Sequence, residues 1–232
     1  MSLVGFRAVA LRRPLVSTQV RHFSGDGAKR TRGPRNTKNY DWYFKALAKQ
    51  SIEQKKFEPA ECFPAAVGSR SRAFLDLTVG GAKLGRLTFV LCDDLLPKTC
   101  QNFKLLCEGK GEFKYENTLI HRIVRNQIIM GGDVEMLEGR GGHSALGSKY
   151  FADEAFVGLH NSHGILSMIN GGIDTNNSQF FVTLKPQKQL NGRNVAFGYL
   201  ESGKEVLDQC AAAFTFQQRP LTKIVISKAG LL

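Results

Sequence analysis

Cysteines are the residues of this sequence with the widest chemical repertoire, because thiolates bind metals, form disulfides and undergo oxidation. The sequence holds five of them: Cys62, Cys92, Cys100, Cys107 and Cys210. Their number is odd, and none stands in a Cys-x-x-Cys pair or at a Cys/His spacing typical of zinc sites. The pattern therefore favours buried free thiols in a reducing compartment, with a redox role for one of them as the alternative.

Basic side chains are a second set that could bind ligands, since clustered Lys and Arg contact nucleic-acid phosphates. The formal net charge is +12. Residues 1–38 contain nine Lys or Arg and one acid and so carry +8, which leaves +4 on the other 194 residues. We therefore expect no nucleic-acid binding by the globular part. RNA binding through the run from Lys29 to Lys38 is an alternative that rests on charge alone.

Residues 1–23 have the composition of a mitochondrial transit peptide. They contain four arginines and no acid, and the arginines interrupt any apolar core long enough for a secretory signal. Residues 21–24 (RHFS) resemble the processing site of matrix-imported proteins, so the mature chain is expected to begin near Ser24. We predict a mitochondrial protein of the matrix. The alternative is a basic tail without a targeting role.

Residues 24–71 are predicted to form a basic linker followed by a helical arm. Residues 40–44 (YDWYF) contain four aromatic side chains, and an apolar stripe at helical spacing runs from Tyr40 to Ile52 before Pro59 ends the pattern. Aromatic residues dominate the cores of protein interfaces. Two interpretations stay open: the arm packs on the barrel of its own chain, or it docks on a partner in a larger assembly.

The elements that must position any site lie in residues 72–232, which predict a mainly β domain. Residues 74–79 alternate like a strand, Gly80 and Gly81 turn the chain, and residues 84–91 return as the hairpin partner. Further strands are predicted at 118–123, 128–131, 164–168, 180–184, 195–199 and 223–229, and helices at 97–107 and 201–210. Eight short strands and two helices indicate an eight-stranded antiparallel β-barrel capped by two helices. The apolar runs are far shorter than the ~20 residues of a membrane-spanning helix, so no membrane span is expected.

Five segments, in order, resemble the cyclophilin family of proteins. They are residues 95–103 (LLPKTCQNF), 121–133 (HRIVRNQIIMGGD), 164–168 (GILSM), 175–181 (TNNSQFF) and 190–198 (LNGRNVAFG). The resemblance covers residues 72–232 with nearly no gaps. It implies the cyclophilin barrel and peptidyl-prolyl cis-trans isomerase activity on the X-Pro bonds of polypeptides.

The resemblance also implies which residues act. Isomerisation rotates a bond without breaking it, so no nucleophile, metal or cofactor is needed. Arg122 matches the family's catalytic arginine, and Phe181 matches the floor of the proline pocket. Asn170 matches the residue whose backbone holds the peptide, and Gln179 matches a polar wall residue supporting the substrate and Arg122. His121 precedes the arginine and is expected to be structural.

The sequence departs from the family's pattern at five positions in this pocket. Where the family has Phe and Met in an apolar wall, this sequence has Gln127 and Ile128. Where the family has a glutamine that braces the arginine, this sequence has Met130. Gln189 replaces the family's tryptophan at the rim, and Asn194 replaces a family histidine that lies over the proline site. Leu190 is kept. Each polar replacement is expected to weaken recognition by about 1–3 kcal/mol, so turnover and cyclosporin binding should both be weak.

Two functions from different classes follow. The first is a prolyl isomerase of reduced activity, favoured by Arg122 and Phe181. The second is a catalytically impaired cyclophilin-fold subunit that serves as a binding or scaffold component of a mitochondrial assembly, favoured by Gln127, Met130 and the aromatic arm.

Overall fold

The computed structural model describes residues 58–232. The predictions for the transit peptide at 1–23 and for the arm at 40–52 lie outside these described residues. Two short 3-10 helices, Pro59–Cys62 and Lys188–Leu190, accompany the main elements. The main elements, in chain order, are β1 Arg72–Val79, β2 Ala82–Leu91, α1 Pro97–Glu108, β3 Ile120–Val124, β4 Ile128–Gly131, β5 Ile165–Met168, β6 Phe180–Thr183, β7 Ala196–Ser202, α2 Lys204–Ala211, β8 Thr215–Phe216, β9 Arg219–Pro220 and β10 Ile224–Leu231.

Eight of the strands form one antiparallel sheet in the order β10-β1-β2-β7-β5-β6-β4-β3. Its two edges meet where Leu119, just before β3, forms a bridge with Val225 of β10. The backbone N–H of Ile226 also donates to the carbonyl of Thr118 at 2.9 Å. The sheet is therefore a nearly closed barrel, and the predicted eight-stranded barrel with two helices is confirmed.

Helix α1 supplies the aromatic centre of the core. It begins with Pro97, which has no N–H to leave unpaired there, and is capped after Glu108 by Gly109 in the left-handed conformation. Its Phe103 is fully buried among aromatic rings whose centroids lie 5.1–5.6 Å away. Those rings belong to Tyr115, Phe180 and Phe197. The packing ties α1 to the strands that carry the candidate site.

Helix α2 begins later than the sequence pattern predicts. The predicted start at Glu201 is wrong, because β7 continues through Ser202 and the helix begins at Lys204. Gly203 turns the chain between them with a φ of +94°, and a Cβ there would collide with the carbonyl of Arg86. Only glycine fits this turn, and the turn separates the end of β7 from the start of α2.

The β8–β9 hairpin was not predicted. Its turn residues Gln217 and Gln218 both have left-handed φ, 48° and 67°, where hairpins of this kind favour Asn-Gly. Such a conformation costs a non-glycine residue roughly 1–2 kcal/mol. The hairpin is attached to the barrel by a bond from the N–H of Ile123 to the carbonyl of Gln218 at 2.7 Å.

All five cysteines are buried and free. Burial raises the pKa of the Cys92 and Cys210 thiols to about 12, and it raises the pKa of Cys100 and Cys107 as well. These thiols are therefore protonated near neutral pH. Among residues 58–232, no helix is both long and apolar enough to cross a bilayer.

Candidate active site

A row of four side chains crosses the barrel surface over four adjacent strands. Arg122 of β3 is paired with Met130 of β4, Met130 with Phe181 of β6, and Phe181 with Ser167 of β5. Directly paired residues of antiparallel strands present their side chains on the same face. Arg122 and Phe181, which are 59 residues apart in the chain, therefore lie on one face with Met130 between them.

The Phe181 ring is supported by the imidazole of His160. The two rings are stacked, with centroids 5.7 Å apart and an interplanar angle of 22°. Phe181 is 2% exposed, so a proline ring could contact only a small part of its surface unless neighbouring side chains move. The ring predicted to form the pocket floor is therefore nearly covered.

Hydrogen bonds fix the tautomer of His160. Asn191 Oδ1 accepts from the backbone N–H of His160 at 2.7 Å and lies 3.0 Å from its Nδ1. Because this oxygen can only accept, Nδ1 carries the proton, and the neutral ring's Nε2 accepts from the Ser167 hydroxyl at 3.0 Å. Burial lowers the pKa of His160 below its ordinary value, against the opposing effect of Asn191. The ring behind Phe181 is therefore neutral at neutral pH.

Arg122 is exposed and is held by a residue that the sequence analysis missed. Its Nε donates to Oε1 of Gln218, in the turn between β8 and β9, at 2.7 Å. No acidic side chain in the described part of the chain forms an ion pair with it. The terminal N–H groups of the guanidinium are thus left without a carboxylate partner. Gln218 lies 96 residues further along the chain in an unpredicted hairpin, so no sequence signal marked it.

Gln179 is buried, and its amide is already occupied. Its Nε2 donates to the carbonyl of Gly141 at 2.7 Å and more weakly to that of Gly139 at 3.4 Å. No hydrogen bond joins Gln179 to Arg122 among the described residues. Gln179 therefore orders the loop at 139–141.

Asp133 organises the same loop from inside. Its carboxylate accepts four backbone N–H bonds of 2.7–3.1 Å. Burial alone would raise the pKa of Asp133, but the four donors outweigh it and lower the pKa below its ordinary value. The donors are the N–H groups of Glu135, Met136, Gly139 and Gly141. A charged Asp133 thus fixes the carbonyls that receive Gln179.

Two of the predicted site residues, Asn170 and Asn194, are hydrogen-bonded to neighbouring backbone and to each other. The side chain of Asn170 donates to the carbonyl of Arg193 at 2.9 Å. Asn194 donates to the carbonyl of Met168 at 3.0 Å and reaches Asn170 Oδ1 at 3.5 Å. These bonds join the segment after β5 to the segment before β7. The structure therefore brings these two predicted site residues into contact.

The remaining predicted residues lie at the periphery. Gln127 is exposed in the β3–β4 turn, and Ile128 is half-buried at the start of β4, where it is paired with Thr183. Leu190 is half-buried at the end of a 3-10 helix, and the exposed Gln189 beside it donates to Gln187 Oε1. The positions where the family places an aromatic wall and rim are thus occupied by polar, exposed side chains.

His121 lies apart from this row. The β3–β4 register shifts between Ile120 and Arg122, which makes His121 the extra residue of a β-bulge. Its ring is close to Gly139, where any Cβ would collide with the imidazole. Burial lowers the pKa of His121, with the charge of Asp133 opposing. These contacts indicate a packing role.

The arrangement places an exposed, charged donor set and an aromatic ring on one face of the sheet, with Met130 between them. In residues 58–232 no group of three His, Cys, Asp or Glu side chains could hold a metal ion. A guanidinium can stabilise an amide whose carbonyl and nitrogen change as the C–N bond twists, and it can do so without a covalent step.

Comparison with known proteins points to one family. The profile of the family described as cyclophilin type peptidyl-prolyl cis-trans isomerase/CLD matches residues 74–231. The chain is 42% identical over 164 residues to the Homo sapiens protein named probable inactive peptidyl-prolyl cis-trans isomerase-like 6, covering 68% of this chain and 52% of that protein. For the Bos taurus protein of the same name the values are 40% over 166 residues, 68% and 54%.

A fungal relative carries a different name. The Rhizopus delemar protein named peptidyl-prolyl cis-trans isomerase cyp11 is 39% identical over 170 residues, covering 69% of this chain and 50% of that protein. The chain thus spans about half the length of the curated relatives it matches. Two of the three names thus call the relative probably inactive, and the fungal name carries no such qualifier.

Proposed function

This chain belongs to the cyclophilin-type peptidyl-prolyl cis-trans isomerase family, and on that premise we propose that it isomerises X-Pro bonds of polypeptides at a reduced rate. The observation that carries the proposal is the row from Arg122 through Met130 to Phe181. It combines a charged donor and an aromatic floor on one face, which is what binding and twisting a prolyl bond require.

The chemistry is a rotation against amide resonance. The uncatalysed barrier is about 18–20 kcal/mol, and it falls when the twisted amide is bound more tightly than the planar one. Arg122 would donate to the carbonyl oxygen and to the proline nitrogen as that nitrogen becomes pyramidal. One charged hydrogen bond that strengthens in the transition state could lower the barrier by about 2–4 kcal/mol.

The reduced rate is supported by the neighbours of Arg122. Met130 stands directly opposite it and offers only a weak thioether acceptor. Gln127 and Gln189 are exposed and polar where an apolar wall and rim would grip a proline ring. Phe181, at 2% exposure, offers little free surface. Each of these features weakens binding of the twisted bond.

The test is a prolyl-isomerisation assay on the full chain with Arg122→Ala and, as a matched control, Arg125→Ala. Both arginines are exposed and belong to the β3–β4 hairpin, but only Arg122 lies in the row. We expect a measurable rate that Arg122→Ala lowers about 30- to 1000-fold and that Arg125→Ala leaves within about twofold. A rate at background, or one indifferent to Arg122→Ala, would overturn the proposal.

A second candidate is a binding or scaffold subunit of a larger assembly. It is favoured by the two relatives whose names call them probably inactive and by the polar replacements in the pocket. The aromatic arm at residues 40–52 would supply the contact. Size-exclusion chromatography of a native lysate tests this candidate, because a scaffold subunit migrates with its assembly whereas elution at the mass of the free chain contradicts it.

We also propose that the protein acts in the mitochondrial matrix, as the arginine-rich, acid-free composition of residues 1–23 suggests. A fluorescent fusion of the full chain should enter mitochondria, and the same fusion lacking residues 1–23 should not. Import of the truncated fusion would contradict this assignment.

A further inference from the structure

We infer that Gln218 is a positioning residue for Arg122, so that the β8–β9 hairpin is a working part of the proline site. This inference rests on the proposed isomerase function. It assigns to a turn residue the bracing that the side chain opposite Arg122, Met130, cannot supply.

The hairpin holds β3 at two adjacent points. Gln218 Oε1 accepts from Arg122 Nε, and the Gln218 carbonyl accepts from the N–H of Ile123, both at 2.7 Å. The side chain of one residue and the backbone of the next are thus fixed by the same turn residue. The backbone bond to Ile123 fixes the position of Gln218, and this position places its side chain within reach of Arg122.

The bond to Gln218 occupies only the Nε donor of Arg122 and leaves its terminal N–H groups available to a substrate. A guanidinium has five N–H donors in one plane, and Nε is the donor nearest the stem. Engaging Nε restricts rotation of that plane while the terminal donors stay available. An exposed arginine without such a contact samples several rotamers and loses that freedom on binding substrate. Because the bond to Gln218 already restricts the guanidinium, Arg122 loses less conformational entropy when substrate binds.

The turn conformation argues that the side chain at 218 is retained for this contact. Gln217 and Gln218 both adopt left-handed φ, a region that Asn or Gly occupies with less strain. An asparagine is one methylene shorter, so its amide would not reach Nε at the same backbone position. At this position glutamine stabilises the turn less than asparagine would, but of the two only glutamine is long enough to place an acceptor beside Arg122.

The direct test is the mobility of the Arg122 Nε–H group, measured by ¹⁵N side-chain relaxation on the full chain. Gln217 is the matched control, because it is a glutamine of the same turn with the same kind of φ. We expect a rigid Nε–H in the wild type and in Gln217→Ala, and a mobile one in Gln218→Ala. The exposed Arg125 serves as the internal reference for a mobile group. An Arg122 signal that is as rigid in Gln218→Ala as in the wild type would overturn the inference.

Kinetics test the consequence for catalysis. We expect Gln218→Ala to lower kcat/KM about tenfold, mainly through kcat, and Gln217→Ala to change it less than about twofold. Gln218→Asn should raise the melting temperature and still lower kcat/KM, a combination that a merely structural role would not produce. In an Arg122→Ala background, Gln218→Ala should have no further effect on the rate.

The outcomes separate this inference from the proposed function. If the wild type is active and Gln218→Ala lowers the rate equally in the presence and absence of Arg122, the positioning role is overturned and the isomerase proposal stands. A wild-type protein without activity would overturn the isomerase proposal and with it the catalytic consequence. The relaxation measurement would then still decide whether Gln218 holds Arg122.

Discussion

The imidazole of His160 lies almost parallel to the benzyl ring of Phe181, with centroids 5.7 Å apart and a 22° angle between the planes. The aromatic floor of the candidate site thus rests on a titratable group. Both nitrogens of that group are hydrogen-bonded in its neutral form. Protonation would remove the bond from Ser167, because the charged ring has no acceptor left.

Stability should therefore fall as the pH drops from about 7 to 5. The pKa of His160 is lowered on folding, so below the ordinary value of about 6.5 the unfolded chain binds a proton before the folded one does, and acid favours unfolding. His121 acts in the same direction. Urea midpoints at several pH values measure the slope. It should be shallower in His160→Gln, and an unchanged slope would argue against a neutral buried His160.

Restoring an amide opposite Arg122 should raise activity. Met130 is paired directly with Arg122, so Met130→Gln places an acceptor within the row and adds a hydrogen bond to a charged group. Such a bond contributes about 1.5–3 kcal/mol. If part of this energy is gained in the transition state, kcat/KM should rise about five- to fiftyfold. Met136→Gln, an exposed methionine outside the row, is the control. An unchanged or lower kcat/KM in Met130→Gln would contradict the prediction that the missing acceptor at position 130 limits the rate.

Cyclosporin binding should respond to the rim position. The side chain of Gln189 is exposed and is hydrogen-bonded to Gln187, so Gln189→Trp restores an apolar side chain at the predicted rim position. Titration calorimetry should show weak binding to the wild type and binding about ten- to a hundredfold tighter in the variant. Lys188→Trp, its exposed neighbour, controls for nonspecific gain. Equal affinities in both variants would show that the rim does not contact this ligand.

Neutralising the loop carboxylate should destabilise the fold near neutral pH. Asp133 accepts four backbone N–H bonds, and Asp133→Asn weakens them, at a cost of about 1–3 kcal/mol. Because the pKa of Asp133 is lowered, its contribution is complete above the ordinary value of about 4 and disappears as the pH falls through the folded value. Acid titrations of the free energy of unfolding should thus be flatter below pH ~4 in the variant. Parallel curves for the two proteins would contradict this role.

The thiols should be inert in the folded protein. All five are buried, and burial raises the pKa of Cys92 to about 12, so few thiolates exist at neutral pH. A thiol reagent should therefore react slowly with the native chain and rapidly with five groups after denaturation. A single fast thiol in the native protein would revive the redox alternative.

The barrel was predictable because its strands and α1 carry strong periodicity and recognisable segments. Strand β4 falls at the predicted residues 128–131. The start of α2 was not predictable from periodicity, because the turn at Gly203 depends on how close the backbone of Arg86 lies.

The candidate site was predictable only in part. Sequence matching selected Arg122, Met130 and Phe181, each within a recognised segment, and the strand register places these three residues in one row. The replacement contact from Gln218 was not predictable, because Gln-Gln is not a recognised hairpin turn and the partner lies 96 residues away. Long-range contacts of this kind arise from topology, which local sequence patterns do not encode.

The pairing of β1 with β10 has a consequence for biogenesis. Ala73 of β1 is paired with Leu231 of β10. One edge of β1 is therefore covered only when the eight residues of β10 have been added to the sheet. A chain still emerging from the ribosome cannot complete the barrel until its C-terminal segment is free. Closing so long a loop slows folding, and a chain shortened by those residues would expose the edge of β1 to other unfinished chains.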